Sequence, residues 1–328
     1  MTRELTLEIG AFELDCGETL PAVQQRVTID GAQPASDGSN VVFAAHALTG
    51  SSRVAEWWPG IVGDGALFDR RHWCIIGINV LGGCYGSSSF VIPSVANEVS
   101  VVEGAPRVTV SDIVRAELRV FDALELPRVA VVIGGSLGGM QALQWALDAP
   151  QRVGHAIVIG ASDHHTAMGI ALNAVQREAI ELDPVRGLAL ARKIAMLTYK
   201  SDDLLAQRHD RKRDRNGRAH FDVEGYLDHQ GDKLLERMDG ATYTLLTHAM
   251  DSFDVRDRTA PPGVDLTFVG ISSDWLFRPQ EIRAAAQRLH ARYLELESNH
   301  GHDAFLAEGH KLHALLAPLV CHPEVRAR

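Results

Sequence analysis

The chain has 328 residues, of which 46% are hydrophobic and 23% charged, a composition typical of a globular protein with a substantial core. The formal net charge of −10 excludes an overall basic field, so we expect neither nucleic acid nor a membrane surface as a partner. No run approaches the roughly 18 apolar residues of a membrane span, and the first residues lack the apolar core of a signal peptide. We therefore expect a cytoplasmic protein.

The chain lacks the sequence signatures of disulfide, metal and dinucleotide chemistry. The four cysteines form no Cys-x-x-Cys pair, so we interpret them as free thiols. His300, His302 and His310 lack the helical or zinc-finger spacing of metal ligands, and no metal is expected. The glycine-rich stretch 79–87 lacks the Gly-x-Gly-x-x-Gly spacing of a dinucleotide site. The cysteines are Cys16, Cys74, Cys84 and Cys321.

Strand and helix patterns alternate along most of the chain. Residues 1–30 alternate apolar and polar side chains, which predicts an antiparallel hairpin at a sheet edge. A helix with an apolar stripe follows Ser111, a candidate N-cap. The alternation predicts an α/β fold with a mostly parallel, doubly wound sheet, whose sites lie at the carboxyl ends of the strands. The predicted buried strands are 41–45, 73–78, 129–133, 156–159, 266–271 and 293–296.

One long segment departs from this alternation. Residues 162–257 show helical periodicity without strand signals, for example over 170–180, 188–197 and 222–250. This pattern predicts a helical lid inserted over the edge of the sheet. The expected organisation is a core domain formed by 1–161 and 258–328, with a lid domain formed by 162–257.

Ser136 lies at the corner between the apolar strand 129–133 and a predicted helix over 140–147. Gly134 and Gly138 flank it in the Gly-x-Ser-x-Gly pattern of a nucleophile elbow, where a strained turn presents the hydroxyl above the sheet. The helix behind it favours a developing negative charge. Its first N–H, that of Leu137, is therefore a candidate oxyanion donor.

An elbow serine needs a histidine base and a carboxylate that orients it, and these follow it in the order acid, then histidine. Asp274 comes just after the strand 266–271, and His302 follows the last strand, so both have the expected order and position. His300 is the alternative base. Cys84 is an alternative nucleophile, although it has no elbow around it.

Seven sequence blocks together resemble the homoserine O-acetyltransferase family of the α/β-hydrolase superfamily. The resemblance implies an α/β-hydrolase fold and transfer of an acetyl group from acetyl-CoA to the hydroxyl of L-homoserine, a step of methionine synthesis. It implies no bound cofactor, with the acyl-CoA acting as co-substrate, and a homodimer formed through the lid. The blocks are His46-Ala-Leu-Thr-Gly-Ser-Ser, Asn79-Val-Leu-Gly-Gly-Cys-Tyr-Gly-Ser, Gly134-Gly-Ser-Leu-Gly-Gly-Met-Gln-Ala-Leu, Ile194-Ala-Met-Leu-Thr-Tyr, Tyr226-Leu-Asp-His-Gln-Gly-Asp-Lys, Ser272-Ser-Asp-Trp-Leu-Phe and Gly301-His-Asp-Ala-Phe-Leu.

The same resemblance implies roles for further residues. A backbone N–H in the stretch Leu48-Thr49 would join Leu137 in the oxyanion hole. Arg192 would bind the carboxylate of homoserine, with Tyr199 two helical turns along the same face, and Asp303 would take the ammonium.

The chain departs from the family mainly in the lid and entrance. Lys200 stands where the family usually has arginine, which keeps the charge but loses the bidentate fork. The segment 181–190 is shorter than usual. The sequence leaves open succinyl-CoA as donor and serine as acceptor. Two other functions also compete: a hydrolase using the same triad, and a non-catalytic binding relative of the fold.

Overall fold

Eight strands form a single sheet in the computed structural model, which describes residues 2–92, 100–101, 107–214, 217 and 220–320. In chain order the strands are β1 (Arg3–Glu13), β2 (Thr19–Gly31), β3 (Val41–Ala45), β4 (Cys74–Ile78), β5 (Val91–Ile92), β6 (Ser100–Val101), β7 (Val129–Gly135), β8 (Val153–Ile159), β9 (Asp265–Ile271) and β10 (Arg292–Leu296). Across the sheet the order is β1-β2-β4-β3-β7-β8-β9-β10, and β5 pairs with β6 separately.

The sheet is parallel from β4 to β10, whereas β1 pairs with β2, and β2 with β4, in the antiparallel sense. The predicted α/β class, the mostly parallel sheet and the edge hairpin are therefore confirmed. Every residue of β3 and β4 is buried, because helices cover both faces of the sheet. Neighbouring residues such as Val42 and Phe43 belong to apolar clusters on opposite faces. This arrangement explains the continuous apolar runs.

Helices flank the sheet and fill the segment between β8 and β9. The helices are α1 (Val54–Trp57), α2 (Val110–Ala123), α3 (Leu137–Asp148), α4 (Ala167–Leu182), α5 (Pro184–Tyr199), α6 (Asp202–Arg208), α7 (Asp222–Leu235), α8 (Gly240–Asp251), α9 (Pro279–Arg288), α10 (Ala304–Ala307) and α11 (Gly309–Leu316). Two 3₁₀ turns occur at Pro150–Arg152 and Gly301–Asp303. No described helix is long and apolar enough to cross a bilayer.

The N-cap predicted for α2 was wrong. Thr109, not Ser111, caps the helix: its hydroxyl accepts the Asp112 N–H at 3.0 Å, and the Asp112 carboxylate accepts the Thr109 N–H at 2.9 Å. This reciprocal capping box satisfies two backbone donors at once, which a cap at Ser111 would leave unpaired.

The lid segment contains α4 to α8, and its described residues form no strand beyond isolated bridges. The run 222–250, which the sequence suggested as continuous, is broken between α7 and α8. There Asp239 accepts the Thr242 N–H at 2.7 Å and starts a new helix. The division into a core domain, 1–161 with 258–328, and a lid domain, 162–257, stays a prediction.

Candidate active site

Ser136 is held in a strained backbone conformation at the corner between β7 and α3. Its φ of 58° and ψ of −124° lie in a region that non-glycine residues rarely adopt. A Cβ at Gly138 would lie 2.2 Å from the Ala45 carbonyl oxygen, and one at Gly134 would lie 2.3 Å from the Gly138 carbonyl oxygen. Neither position can therefore carry a side chain, which gives the Gly-x-Ser-x-Gly spacing its physical reason. Because α3 begins at Leu137, the N–H of that residue has no partner within the helix.

His302 and Asp274 form a buried pair. The His302 Nδ1–H donates to Asp274 Oδ2 at 2.6 Å. The other carboxylate oxygen, Oδ1, accepts the backbone N–H groups of Leu276 and Phe277 at 2.9 and 3.0 Å. These three hydrogen bonds fix the carboxylate, which in turn fixes the tautomer and orientation of the imidazole.

The environment of His302 raises its pKa above the ordinary value of 6.5. Burial of the ring lowers the pKa, but the adjacent Asp274 carboxylate, through its charge and its hydrogen bond, and the charge of Asp303 more than offset that effect. The ring stacks on Phe277, with centroids 5.2 Å apart, and meets the edge of Phe305 at 5.8 Å. The aromatic packing holds the imidazole in place without occupying its nitrogens.

A cavity of about 690 Å³ opens above this pair. His302 Nε2, the nitrogen turned away from Asp274, is buried and has no hydrogen-bond partner among the described residues. A proton acceptor left free in this way suits a general base. Seven of the nine residues that the sequence suggested line the cavity: Leu48, Thr49, Ser136, Arg192, Tyr199, His302 and Asp303. The other two do not line it: Asp274 is hydrogen-bonded to His302, and Leu137 follows Ser136 in the chain.

The loop that contains Leu48 and Thr49 is fixed by a histidine that the sequence analysis did not single out. His46 Nδ1–H donates to the Ala47 carbonyl at 2.8 Å, and His46 Nε2 accepts the Val80 N–H at 3.2 Å. Burial lowers the pKa of His46 to about 4, so the ring stays neutral and keeps both bonds at physiological pH. Gln141 of α3 adds a bond from its amide N–H to the His46 carbonyl at 3.2 Å. The only sequence signal for these residues was their presence in the family blocks.

Charged side chains from the lid reach the same cavity. The Arg192 guanidinium lies 5.5 Å from the centre of the Tyr199 ring and has no carboxylate partner among the described residues. Asp303 pairs with Lys200, whose Nζ lies 2.7 Å from Oδ2. Arg237, which the sequence analysis did not identify, donates to the Thr49 carbonyl at 2.7 Å. The cavity thus offers a cation and a carboxylate close to Ser136 and His302.

The alternatives are less well placed. Among the described residues, His302 rather than His300 is hydrogen-bonded to Asp274, and His300 does not line the cavity. Burial raises the pKa of the Cys84 thiol to about 11, which disfavours the reactive thiolate. The residues that the structure describes hold no group of three metal-ligating side chains. Their three cysteines are free thiols, and Cys321 lies outside them.

Comparison with known proteins agrees with this architecture. The α/β hydrolase fold family matches residues 40–308. A homoserine O-succinyltransferase from Aromatoleum aromaticum is 38% identical, over 93% of this chain and 92% of that protein. A homoserine O-acetyltransferase from Chlorobium chlorochromatii is 37% identical, over 93% and 91%. The crystal structure of a homoserine O-acetyltransferase from Staphylococcus aureus superposes with a TM-score of 0.80 at 28% identity, over 97% of this chain and 94% of that one.

These matches confirm the resemblance that the sequence blocks carried. They extend across nearly the whole chain and include the core, the lid and the loops around the cavity. The chain therefore belongs to the α/β hydrolase fold family and, within it, to the family of homoserine O-acetyl- and O-succinyltransferases.

Proposed function

We propose that the protein transfers an acyl group from acyl-CoA to the side-chain hydroxyl of L-homoserine. The observation that carries this proposal is the charge pattern of the cavity. Arg192 is a half-buried cation without a carboxylate partner among the described residues, and Asp303 is an anion in the same cavity. Homoserine carries a carboxylate and an ammonium, so both ends of the acceptor find a counter-charge beside Ser136.

In the first half of the cycle Ser136 is the nucleophile. His302 Nε2 takes the proton from the hydroxyl as Oγ attacks the thioester carbonyl carbon. The N–H groups of Leu137 and of the Leu48-Thr49 stretch bind the oxyanion. The carbon–sulfur bond then breaks, His302 returns the proton to sulfur, and CoA leaves as the thiol. An acyl-serine ester remains.

In the second half the acceptor hydroxyl gives its proton to His302 and attacks the ester carbonyl. The bond to Ser136 Oγ breaks, and the serine recovers its proton from the imidazolium. Asp274 keeps the ring in one tautomer and stabilises its charged form through both steps. The product is O-acyl-L-homoserine.

We propose acetyl-CoA as the preferred donor. A second, small cavity of about 20 Å³ adjoins Ser136, and its lining includes Leu172, Met250 and Leu276 together with the polar Asn173 and Gln176. A space of that size holds about one water-sized or methyl-sized group, which matches the methyl group of acetyl better than the larger carboxyethyl group of succinyl. Relatives named for each donor match this chain equally well, so the similarity alone does not select between them.

The test is release of CoA by the purified protein. Acetyl-CoA and succinyl-CoA are each combined with L-homoserine, L-serine or no acceptor, and Ser136→Ala serves as the control. We expect release that depends on L-homoserine and is faster with acetyl-CoA. Release at the same rate without an acceptor would identify water as the acceptor and replace the transferase by a hydrolase. Faster release from succinyl-CoA would overturn the choice of donor.

We further propose that the protein is a homodimer formed through the lid. Of the eight large apolar side chains that are exposed among the described residues, seven lie on α4 and α5, and the eighth is Trp275. A concentration of exposed apolar side chains on two neighbouring helices is typical of protein interfaces. The seven are Met168, Ile170, Val175, Leu182, Val185, Leu190 and Leu197.

A further inference from the structure

Lys200, which the sequence analysis singled out, forms an ion pair inside the site. Its Nζ donates to Asp303 Oδ2 at 2.7 Å, and the two side chains are only 12% and 19% exposed. Lys200 follows the last residue of α5, whereas Asp303 follows His302 in the turn Gly301–Asp303. The pair therefore joins the lid to the turn that carries the histidine.

The two backbones around this ion pair are in close contact. Gly301 has a φ of +68°, and a Cβ on it would lie 2.8 Å from the Tyr199 carbonyl oxygen. The Ser201 hydroxyl donates to the Asn299 carbonyl on the other side of the pair. With the main chains fixed on both sides, Lys200 and Asp303 have little freedom to separate.

The ion pair uses only half of the Asp303 carboxylate. Oδ2 is taken by Lys200, while Oδ1 has no partner among the residues that the structure describes, and Asp303 lines the cavity. A carboxylate oxygen that is free while its neighbour is held can receive an ammonium in a fixed direction. A freely rotating carboxylate would have to be ordered when the acceptor binds.

The pair also alters the charge around His302. Two carboxylates, Asp274 and Asp303, face the imidazole, and the cations near them are Arg192, across the Tyr199 ring, and Lys200. Burial raises the pKa of Tyr199, so this phenol stays neutral at physiological pH. Lys200 is the cation in direct contact with Asp303.

We propose that Lys200 is a positioning residue for acceptor selection: it holds one oxygen of Asp303, directs the other towards the acceptor ammonium, and partly neutralises the carboxylate beside His302. This inference rests on the proposed function, in which Asp303 receives the ammonium of homoserine. Lys200 itself does not touch the reacting atoms.

The test compares Lys200→Met, Lys200→Arg and the control Lys193→Met. Lys193 is on α5, which ends just before Lys200, and pairs with Asp228 of α7, but neither Lys193 nor Asp228 lines the cavity. The first readout is the KM for L-homoserine and for 4-hydroxybutyrate, which is homoserine without its amino group. The second is the pH dependence of acyl-enzyme formation, followed as a burst of CoA release without any acceptor.

We expect Lys200→Met to raise the KM for L-homoserine about tenfold and to leave that for 4-hydroxybutyrate unchanged, since only the former has an ammonium to orient. In the plot of burst rate against pH, the fall on the acidic side should move to higher pH, because the unneutralised Asp303 carboxylate stabilises protonated His302. Lys200→Arg should restore both properties, and Lys193→Met should alter neither.

Three results would overturn the proposal. A lower KM for L-homoserine in Lys200→Met would mean that the lysine competes with the ammonium. An equal rise in KM for both acceptors would mean that Lys200 has only a structural role. So would a pH dependence of the CoA burst that is unchanged on its acidic side. The burst needs no acceptor, so it tests the charge effect even if L-homoserine proves not to be the acceptor, an outcome that would refute the proposed function separately.

Discussion

The core and the lid contribute to the candidate site in different ways. Ser136, Asp274 and His302 come from the carboxyl ends of β7, β9 and β10, are all buried, and Asp274 and His302 are joined by a short hydrogen bond. Arg192 and Tyr199 come from α5 of the lid, are half-buried, and meet through a guanidinium–ring contact of 5.5 Å. The three core residues are therefore more deeply buried than Arg192 and Tyr199, and the pair of Asp274 and His302 is held by a shorter, hydrogen-bonded contact.

We infer from this difference that the core carries out the acyl-transfer chemistry, whereas the lid selects the acceptor. Residues at the ends of packed strands cannot move without disturbing the core, so the acyl-transfer machinery should tolerate few changes. Half-buried side chains on a lid helix can change with less cost to stability than residues of the packed core. Lys200, where the sequence departs from the expected family pattern, stands on the lid side, which supports our proposal that acceptor selection is made there and the acyl-transfer chemistry in the core.

The largest loss of activity is expected from substitutions among the core residues of the site. Ser136→Ala should lower kcat for acyl transfer by roughly 10⁶-fold and Asp274→Asn by roughly 10⁴-fold, because the first removes the nucleophile and the second leaves His302 in the wrong tautomer. Steady-state CoA release measures both. Ser272→Ala, next to the same strand end, is the matched control and should retain activity. A variant of Ser136 that still forms acyl-enzyme would refute the assigned nucleophile.

A smaller effect is expected on the lid side. Arg192→Ala should raise the KM for L-homoserine by roughly 100-fold, the cost of losing a charge-assisted contact with the carboxylate. Acyl-enzyme formation should be unchanged, because it precedes acceptor binding. Arg186→Ala on the same helix controls for loss of a positive charge. If the CoA burst fell together with acceptor affinity, Arg192 would belong to the catalytic side and the division between core and lid would fail.

The pH dependence gives a finer test of the same division. His302 must be neutral to accept a proton, and its pKa is raised above 6.5 by Asp274 and Asp303. The rate of acyl-enzyme formation should therefore fall as the pH drops through a value higher than 6.5. Asp303→Asn removes one of the two carboxylates, so the rate should begin to fall at a lower pH than in the wild type. If the rate fell at the same pH in both, Asp303 would have no effect on the pKa of His302.

The sequence predicted those parts of the candidate site whose signals are local, and it missed those that depend on contacts between residues far apart in the chain. The elbow around Ser136 is local, and Asp274 and His302 follow recognisable strands, so spacing alone suggested all three. The tie between His46 and Val80 spans 34 residues, and that between Lys200 and Asp303 spans 103. No periodicity encodes such pairs, because they exist only when separate elements pack together.

The lid residues also show what could not be predicted from the sequence. Arg192 was suggested by resemblance alone, since an arginine in a helical pattern is equally compatible with solvent. The capping box at Thr109 was missed although it is local, because Ser111 offered a competing hydroxyl two residues later. Resemblance suggested the candidate substrate-binding residues, and the folded chain showed what each of them touches.

The smallest effect on activity is expected from the outer surface of the lid. Leu182 is 83% exposed and Val175 is 54% exposed, both on α4. The double variant Leu182→Glu, Val175→Glu should convert a dimer into a monomer of 35.7 kDa, because two carboxylates cannot be buried in an apolar interface. Light scattering after gel filtration measures the mass, and Gln287→Glu on α9 controls for added charge. The CoA burst should change by less than about threefold, since the triad lies in the core. A wild-type chain that is already monomeric would leave this apolar surface without a dimer partner and refute the proposed homodimer.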